Sequence, residues 1–349
     1  MQKIFAKTSE GVELMKISSV VFRCIVTVCF AFGAISAQTN DSVKPDKTMM
    51  QKGFQPLAFE NSPALQTLLN EAVSEAIKKF SSKGLKPDYV AATLIDLRDA
   101  NRLKTASVRG EQKIYPASVV KMFYMTALER GLEDGKIKMT PELERGLRDM
   151  IVSSSNEATQ YILDVLTDTS SGAELEPKEF KIFADKRNHV NRYFTSLDYQ
   201  NINVNQKTFC EDAYGREQQF RDGGKNRNML TTNATARLLT EIVLGKVVTT
   251  ERSRLMLDLM KRDFSGTSTD ADDQAHGFTG IALNNLKLKD AKLWSKAGWT
   301  SKTRHDAAYV ETPDGLKFVL VVFTENTAKE RDIIPTIAEK VLDNLGKIK

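Results

Sequence analysis

The sequence predicts one domain of the mixed α/β (α+β) class, in which a β-sheet packs against helices. Strand-like segments occur near both ends of the chain, and a long, mostly helical stretch lies between them. This order predicts one sheet that is assembled from distant parts of the chain, with helices packed on it. The composition of the 349 residues, 41% hydrophobic and 27% charged, is that of a globular protein with a sizeable core.

The N-terminal segment is expected to direct export. Its apolar run, Cys24–Ile35, is too short to span a membrane. Basic residues precede the run and small residues follow it, which is typical of a signal peptide cleaved near Ala37. We therefore expect a signal peptide over residues 1–37 and a periplasmic or secreted protein with no stable membrane insertion. A retained N-terminal anchor is the alternative. Residues 38–60 are polar and lack periodicity, which predicts a flexible linker.

The folded domain is predicted to cover residues 61–349. Its first helix is marked by Ser62 and Pro63, a favoured N-cap and first-turn pair, and apolar residues then recur at helical spacing as far as Phe80. Further helices are predicted at 117–129, 140–152, 156–166, 184–197, 233–244 and 250–260, and a last helix ends near Leu345. Strands are predicted at 89–97, 103–108, 292–299, 307–311 and 316–324. This order predicts an α/β lobe (61–116 and 288–349) and a helical lobe (117–287).

Charge and metal-binding residue types narrow the function. The 50 basic and 45 acidic residues are spread along the chain, so no dense basic block predicts a nucleic-acid partner. The three histidines are scattered, without metal-ligand spacing. Of three cysteines, only Cys210 lies outside the signal segment, so we expect no internal disulfide in the mature chain. No metal or organic cofactor is expected.

The segment Tyr115–Lys121 holds the first candidate for chemistry, a serine and a lysine three residues apart. Pro116 favours the start of a helix, so Ser118 is expected in the first turn with Lys121 on the same face. The positive end of the helix dipole would stabilise negative charge on the Ser118 oxygen. A lysine acts as a base only when it is neutral, which burial and a nearby second cation favour. Alone, this spacing is common in a chain of this length.

The second candidate is Ser154-Ser155-Asn156, placed where one predicted helix ends and the next begins. There its side chains are positioned to face a cleft between the two lobes. Taken by itself, the segment is explained more simply as an ordinary helix cap.

The third candidate is Lys296-Ala297-Gly298-Trp299, at the end of a predicted edge strand. A glycine at this point lets a ligand approach the backbone closely. Lys296 is then a candidate anion clamp and the second cation beside Lys121. The competing interpretation is an exposed strand lysine followed by a turn glycine.

The order of the three motifs resembles that of class A β-lactamases and penicillin-binding proteins, in which S-x-x-K is followed by S-x-N and then by K-x-G on a late strand. The resemblance extends roughly from Pro63 to the C-terminus. It implies a β-lactamase/transpeptidase-like fold, with a mainly antiparallel sheet and a separate all-helical lobe. It also implies an acyl-enzyme mechanism on cyclic amide C–N bonds, a small-molecule β-lactam or peptidoglycan-peptide-like substrate, and a monomer.

The resemblance also assigns roles. Ser118 would attack the carbonyl, Lys121 would accept its proton, and Ser154 would protonate the leaving nitrogen. Lys296 would orient the substrate carboxylate, and the N–H groups of Ser118 and Trp299 would form the oxyanion hole. Further substrate-binding residues would be Asn156, Gly298, Thr300 and Tyr115.

Three features depart from the family pattern. Ala297 replaces a Thr or Ser whose hydroxyl would contact the substrate carboxylate, and Thr300 or Arg304 is expected to compensate. Ser155 replaces an Asp, for which we expect local repacking. The Glu-x-x-x-Asn of the deacylation loop is not evident, and Glu211 and Glu217 are the candidate general bases in the corresponding region, with Asp212 nearby.

A missing base would let the acyl-enzyme persist, because a positioned general base contributes about 10² to 10⁴ in rate. The sequence therefore leaves three functions open: a β-lactamase, a penicillin-binding DD-peptidase or esterase with slow deacylation, and a non-catalytic cell-wall-binding protein on the same fold.

Overall fold

A computed structural model describes residues 54–209 and 213–348. The expected signal peptide, most of the expected linker, Cys210, Glu211 and Asp212 lie outside the described residues. Among the described residues, no helix combines the length and apolar character needed to cross a membrane.

Within residues 54–209 and 213–348, seven strands form one sheet in the order β1-β3-β2-β7-β6-β5-β4. All neighbours are antiparallel except β1 and β3, which run parallel. The strands are β1 (Phe59–Asn61), β2 (Val90–Asp96), β3 (Leu103–Val108), β4 (Lys261–Arg262), β5 (Lys292–Trp299), β6 (Thr303–Glu311) and β7 (Lys317–Glu325). The interior strand β2 is buried on both faces, as its run of apolar residues predicts. The mainly antiparallel sheet built from both ends of the chain is thus confirmed.

One face of the sheet packs against α1 (Pro63–Phe80), α10 (Thr279–Asn285) and α11 (Ile333–Leu345). The Ser62 hydroxyl accepts the Leu65 N–H at 3.3 Å, and Pro63 occupies the first helical position, so α1 begins where the sequence predicts. Pro335 lies in the first turn of α11, where its missing N–H costs no helical hydrogen bond.

The other face of the sheet packs against the helical part of the chain. Its helices are α2 (Val120–Glu133), α3 (Pro141–Ile151), α4 (Asn156–Thr167), α5 (Pro177–Arg187), α6 (His189–Ser196), α7 (Gly215–Arg221), α8 (Thr232–Val243) and α9 (Thr250–Met260). Helix α2 is the central one, because eleven of its fourteen residues are buried. A helix buried on nearly all sides holds its N-terminal end rigidly. That end carries Lys121, and Ser118 lies in the turn directly before it.

Several boundaries differ from the expectation. The linker was expected to reach Glu60, yet Phe54 is already buried and Phe59–Asn61 pairs with β3, so the folded domain begins earlier than residue 61. The expected helix 184–197 is two helices, α5 and α6, that meet at Asn188. The Asn188 side chain bonds to the Ala184 carbonyl and ends α5 there.

Strand β6 begins at Thr303 instead of residue 307. Its first four residues include charged side chains that are buried, which periodicity does not reveal. The strand β4, of two residues, interrupts the part of the chain that was expected to be all helical.

Candidate active site

The candidate nucleophile lies in a tight turn that leads into α2. Residues Ala117–Val119 form one turn of 3-10 helix, and Ala117 adopts a φ of +46°. A non-glycine residue in this region carries backbone strain of about 1 to 3 kcal/mol, which proteins tend to retain at functional sites. Ser118 is half-buried, and its hydroxyl has no hydrogen-bond partner among the described residues. The hydroxyl is thus free to meet a ligand.

The Ser154 segment forms the junction between α3 and α4. Ser154 has a φ of +57°, the second strained residue in this region. Ser155 caps α4 by accepting the Ala158 N–H at 3.0 Å, the bond that an Asp makes at the same position. Ser155 therefore caps the helix at the position where the family pattern has an Asp, and Asn156 begins the helix.

Lys121 is completely buried and reaches this junction from α2. Its Nζ donates to the Ser154 carbonyl at 2.5 Å and to Asn156 Oδ1 at 2.9 Å, and it lies 3.3 Å from Ser154 Oγ. The turn of Ser118 and the junction of Ser154 are therefore connected through one amine.

Lys296 reaches the same hydroxyl from β5. Its Nζ lies 3.0 Å from Ser154 Oγ, and the side chain is completely buried. Burial, the nearby Lys121 and the nearby Arg262 hold the pKa of Lys296 well below its ordinary value. Ser154 Oγ therefore joins two amines that come from distant parts of the chain.

Gly298 brings β5 directly against the candidate nucleophile. A β-carbon at this position would lie 2.7 Å from the Ser118 nitrogen and 2.8 Å from the Pro116 carbonyl, closer than real contacts. Only glycine permits this approach. The three motifs thus meet in one place, although Lys296 and Ser154 are 142 residues apart.

The edge of β5 that does not pair with β6 lies on the side of the candidate site. The Ser295 carbonyl and the Ala297 N–H both bond to partners on the side away from β6. Because alternate residues of a strand direct their backbone groups to the same edge, the Trp299 N–H also points to that side. The Trp299 side chain is 52% exposed.

Two buried residues of β6 support the turn and the strand. His305 Nε2 donates to the Tyr115 carbonyl at 2.9 Å, while Nδ1 accepts the Thr324 N–H at 3.1 Å, so the ring is neutral. Burial lowers the pKa of His305 to about 4. Burial also raises the pKa of Asp306, which accepts two hydrogen bonds from Thr279.

Gln274 links β5 to the end of α3 through side-chain hydrogen bonds. Its Oε1 accepts from Lys296 Nζ at 2.6 Å and from the Ala297 N–H at 3.2 Å, and its Nε2 donates to the carbonyls of Ile151 and Val152. Neither Gln274 nor His305 belongs to a sequence motif, and sequence reasoning missed both. The adjacency of His305 to the strand expected at 307–311 was the only available signal.

The remaining predicted residues have other partners. The Thr300 hydroxyl accepts N–H bonds within the β5–β6 turn, from Lys302 and Thr303. Arg304 pairs with Asp272 and stacks on Phe278, with its guanidinium carbon 3.9 Å from the ring centroid. Neither side chain is free to replace the hydroxyl that Ala297 lacks.

Tyr115 contributes its carbonyl to His305, and its ring lies under the guanidinium of Arg227 at 4.1 Å. It therefore flanks the candidate nucleophile as part of a cation–π pair.

Glu217 lies in a separate buried ion cluster. It pairs with Arg187, accepts from the Ser171 hydroxyl at 3.0 Å and lies 3.4 Å from Lys207 Nζ, which itself bonds Asp164 at 2.6 Å. Among the described residues, no hydrogen bond joins Glu217 to Ser118, Lys121 or Ser154. The other tentative base, Glu211, lies outside the described residues.

In the part of the chain that the structure describes, no group of three or more His, Cys, Asp and Glu side chains is arranged to hold a metal ion. The candidate site instead contains two amines, two hydroxyls and backbone N–H groups. These groups are suited to activating a nucleophile and to binding oxygen atoms.

Solved structures of known proteins share this fold. A β-lactamase from Sphaerobacter thermophilus is 19% identical with a TM-score of 0.58, and the match covers 80% of this chain and 98% of that chain. A mutant of PBP-A, solved as an acyl-enzyme complex with penicillin G, is 17% identical with a TM-score of 0.57, and the match covers 84% and 100%. A class A β-lactamase from Bacteroides cellulosilyticus is 16% identical with a TM-score of 0.55, and the match covers 81% and 98%.

No curated protein matches this sequence significantly. The model of the β-lactamase enzyme family matches residues 138–345, a range that includes Ser154 and Lys296 and begins after Lys121. This range is more than half of the chain. It shows that the chain belongs to the β-lactamase enzyme family.

Proposed function

We propose that the protein is a serine hydrolase of the class A β-lactamase type, which forms an acyl-enzyme on Ser118 with a β-lactam or a related amide or ester. The single observation that carries the proposal is the convergence at Ser154 Oγ of Lys121 Nζ and Lys296 Nζ, at 3.3 and 3.0 Å, beside a strand that Gly298 holds against Ser118.

In the acylation step, Lys121 Nζ accepts the proton of Ser118 Oγ as that oxygen bonds to the substrate carbonyl carbon. The short spacing along the turn and helix favours this transfer, once Nζ turns from the Ser154 carbonyl toward Ser118. Because Lys296 Nζ and Lys121 Nζ both lie close to Ser154 Oγ, a positive charge on both amines at once is disfavoured. The carbon–nitrogen bond then breaks, and the leaving nitrogen takes a proton from Ser154 Oγ, which is replaced from the Lys121 ammonium.

The developing oxyanion is stabilised by the N–H groups of Ser118 and Trp299. Support comes from the contact between Gly298 and the Ser118 nitrogen and from the outward direction of the Trp299 N–H. A donor of this kind contributes about 3 kcal/mol to transition-state stabilisation. Asn156 is assigned to the substrate's amide side chain, and Lys296 to its carboxylate.

Deacylation distinguishes a β-lactamase from the second candidate, a penicillin-binding DD-peptidase or esterase that releases its acyl group slowly. One observation favours the second candidate: the Glu217 carboxylate is already paired with Arg187 and lies near Lys207. A carboxylate whose oxygen already binds Arg187 and the Ser171 hydroxyl is not available to activate a water molecule at Ser118. Fast turnover would then depend on Glu211, for which the sequence is the sole support.

Mass spectrometry of the intact protein after mixing with benzylpenicillin tests these candidates. An adduct on Ser118 that disappears within seconds supports the β-lactamase, and one that persists for minutes supports the slow enzyme. In the β-lactamase case, Glu211→Gln should make the adduct persist, whereas Glu217→Gln should not. The matched control is Ser118→Ala. An absence of any adduct in the wild-type protein would refute both enzymatic candidates for β-lactams.

The non-catalytic alternative, a wall-binding protein on the same fold, makes a different prediction. It expects Ser118→Ala to keep the biological role, while either enzyme loses hydrolysis without loss of folding. The convergence of two amines on one hydroxyl favours the enzyme, because buried amines are costly to a fold that does not use them.

We further propose that the enzyme acts outside the cytoplasm, as a monomer on a small-molecule substrate. The expected signal peptide over residues 1–37 supports export. Detection of a mature N-terminus near residue 38 in an extracytoplasmic fraction would test it, and an intact N-terminus there would contradict cleavage.

A further inference from the structure

The oxygen of Gln274 is held where two donors converge. Lys296 Nζ and the Ala297 N–H lie 2.6 and 3.2 Å from Oε1. An amine and a backbone N–H that converge on one point form a binding position for an oxygen atom, and such a position prefers a charged oxygen to a neutral one. Gln274 fills the position with a neutral amide.

This position coincides with the one that the proposed function gives to the substrate carboxylate. Lys296 is the residue assigned to that carboxylate, and the free edge of β5 is the wall along which the substrate would lie. Because Ala297 supplies no hydroxyl, its N–H is the second donor at this point. The carboxylate and the Gln274 amide therefore compete for the same two hydrogen-bond donors.

The side chain can leave while its backbone stays in place. Asp273 fixes the adjoining backbone, since its Oδ1 accepts the N–H groups of Ala275 and His276 at 3.0 and 2.9 Å. The Gln274 side chain itself is half-buried, and one of its bonds, to the Val152 carbonyl at 2.9 Å, is exposed. Rotation about side-chain bonds is therefore sufficient to open the position.

We propose that Gln274 is a specificity-determining residue: its side-chain amide occupies the carboxylate-binding position of the cleft and must be displaced by acidic substrates but not by neutral ones. The inference rests on the proposed function and ranks its substrates: amides or esters with a neutral group at this position are favoured over those with a carboxylate there. A carboxylate binds only after Gln274 loses four hydrogen bonds, whereas a neutral ester leaves the amide in place.

The test compares the acylation of Ser118 by benzylpenicillin and by its methyl ester, in the protein without its expected signal peptide. In Gln274→Ala, the apparent second-order rate constant of Ser118 acylation should rise about tenfold for benzylpenicillin, since one lost competing interaction of about 1.4 kcal/mol is tenfold. The gain should appear in the concentration dependence and not in the limiting rate. The ester should change less than twofold. Equal changes for the two compounds, or no change, would overturn the proposal.

Gln274→Glu is the second variant, and it preserves the size of the side chain if the alanine variant folds poorly. It places a carboxylate beside Lys296, so acylation by benzylpenicillin should fall at least tenfold relative to the methyl ester. A parallel fall for both compounds would show a general defect and would refute the selective role.

A binding measurement separates this inference from the proposed function. In a Ser118→Ala background no acyl-enzyme forms. Calorimetry then measures the binding affinity of benzylpenicillin and of its methyl ester directly. Tighter binding of the acid, but not of the ester, in Ser118→Ala with Gln274→Ala supports the inference even if the wild-type protein is never acylated. Unchanged binding of both refutes it even if acylation occurs.

Discussion

Two buried lysines of this protein illustrate opposite uses of burial. Lys207 bonds Asp164 at 2.6 Å and the Ser171 hydroxyl at 2.8 Å, and the Glu217 carboxylate is also close to it. Lys296 donates only to neutral oxygens among the described residues, those of Ser154, Gln274 and Ala297.

The difference lies in the charge of the partners. The cluster of Arg187, Lys207, Asp164 and Glu217 contains two cations and two anions, so its charges offset one another and it ties together α4, α5, α7 and the segment before residue 210. At Ser154, two amines face one hydroxyl. The first arrangement stabilises a fold, and the second keeps proton affinities displaced from their ordinary values, as chemistry requires.

The largest effect is expected for Lys121→Met. Removal of the proposed base should lower the rate of Ser118 acylation by benzylpenicillin about 10³-fold or more, equivalent to about 4 kcal/mol. The fold should be retained, because methionine fills the buried space without a charge. Stopped-flow or mass-spectrometric acylation rates, together with thermal melting, check it. A rate within tenfold of wild type would remove Lys121 from the mechanism.

The converse change is Lys207→Met. It leaves Asp164 and Glu217 with one cation fewer, so the free energy of unfolding should fall by about 4 kcal/mol, while the acylation rate of the folded fraction stays within a few fold. Denaturant unfolding measures the first quantity, and active-site titration measures the second. A stable variant that has lost acylation would mean that the two regions do not differ as described.

The buried His305 is expected to make the stability of the folded protein depend on pH. Its pKa is lowered to about 4 from an ordinary 6.5 because the ring is buried. Between these values the unfolded chain binds a proton that the folded chain does not, so stability should decrease as the pH falls through this range, by about 3 kcal/mol in all.

His305→Gln keeps a donor for the Tyr115 carbonyl and does not titrate there. Urea unfolding at pH 7 and pH 4 should therefore show a smaller acid loss in the variant than in the wild type. Identical losses would assign the acid sensitivity to other groups.

The smallest effect concerns Ser155, beside the site but outside its chemistry. Loss of its cap in Ser155→Ala should lower the free energy of unfolding by about 1 kcal/mol, while Ser155→Asp should retain the stability of the wild type. Thermal melting of the three proteins measures this order. Equal melting temperatures would show that the cap contributes nothing.

Much of the fold followed from local patterns. Strands β3 and β5 have the predicted boundaries, because apolar alternation and turn residues mark their ends. Helices α7 and α10 were missed, since each has seven residues, too few for a helical period to stand out from its polar neighbours. The division at Asn188 depends on one side-chain hydrogen bond, which composition does not reveal.

The candidate site was predictable only where motifs exist. The spacing of Ser118, Ser154 and Lys296 along the chain predicted residues that the structure brings together. Gln274 belongs to the site because it bonds to the edge of β5, and His305 because the pairing of β6 with β5 places it beside Tyr115. Both relations are properties of the assembled fold. Glu217 was selected for its position in the sequence, but its partners are set by helix packing in the ion cluster.

The pairing of β2 with β7 has a consequence for biosynthesis. Val90 pairs with Thr324, so most of the chain separates the two strands at the centre of the sheet. During synthesis, one edge of β2 stays unpaired until the last strands have been made, and such an edge is prone to intermolecular association. The loop that must close is long, which predicts slow folding and a need for protection of the nascent chain. Activity should therefore arise late, only once the C-terminal strands have docked.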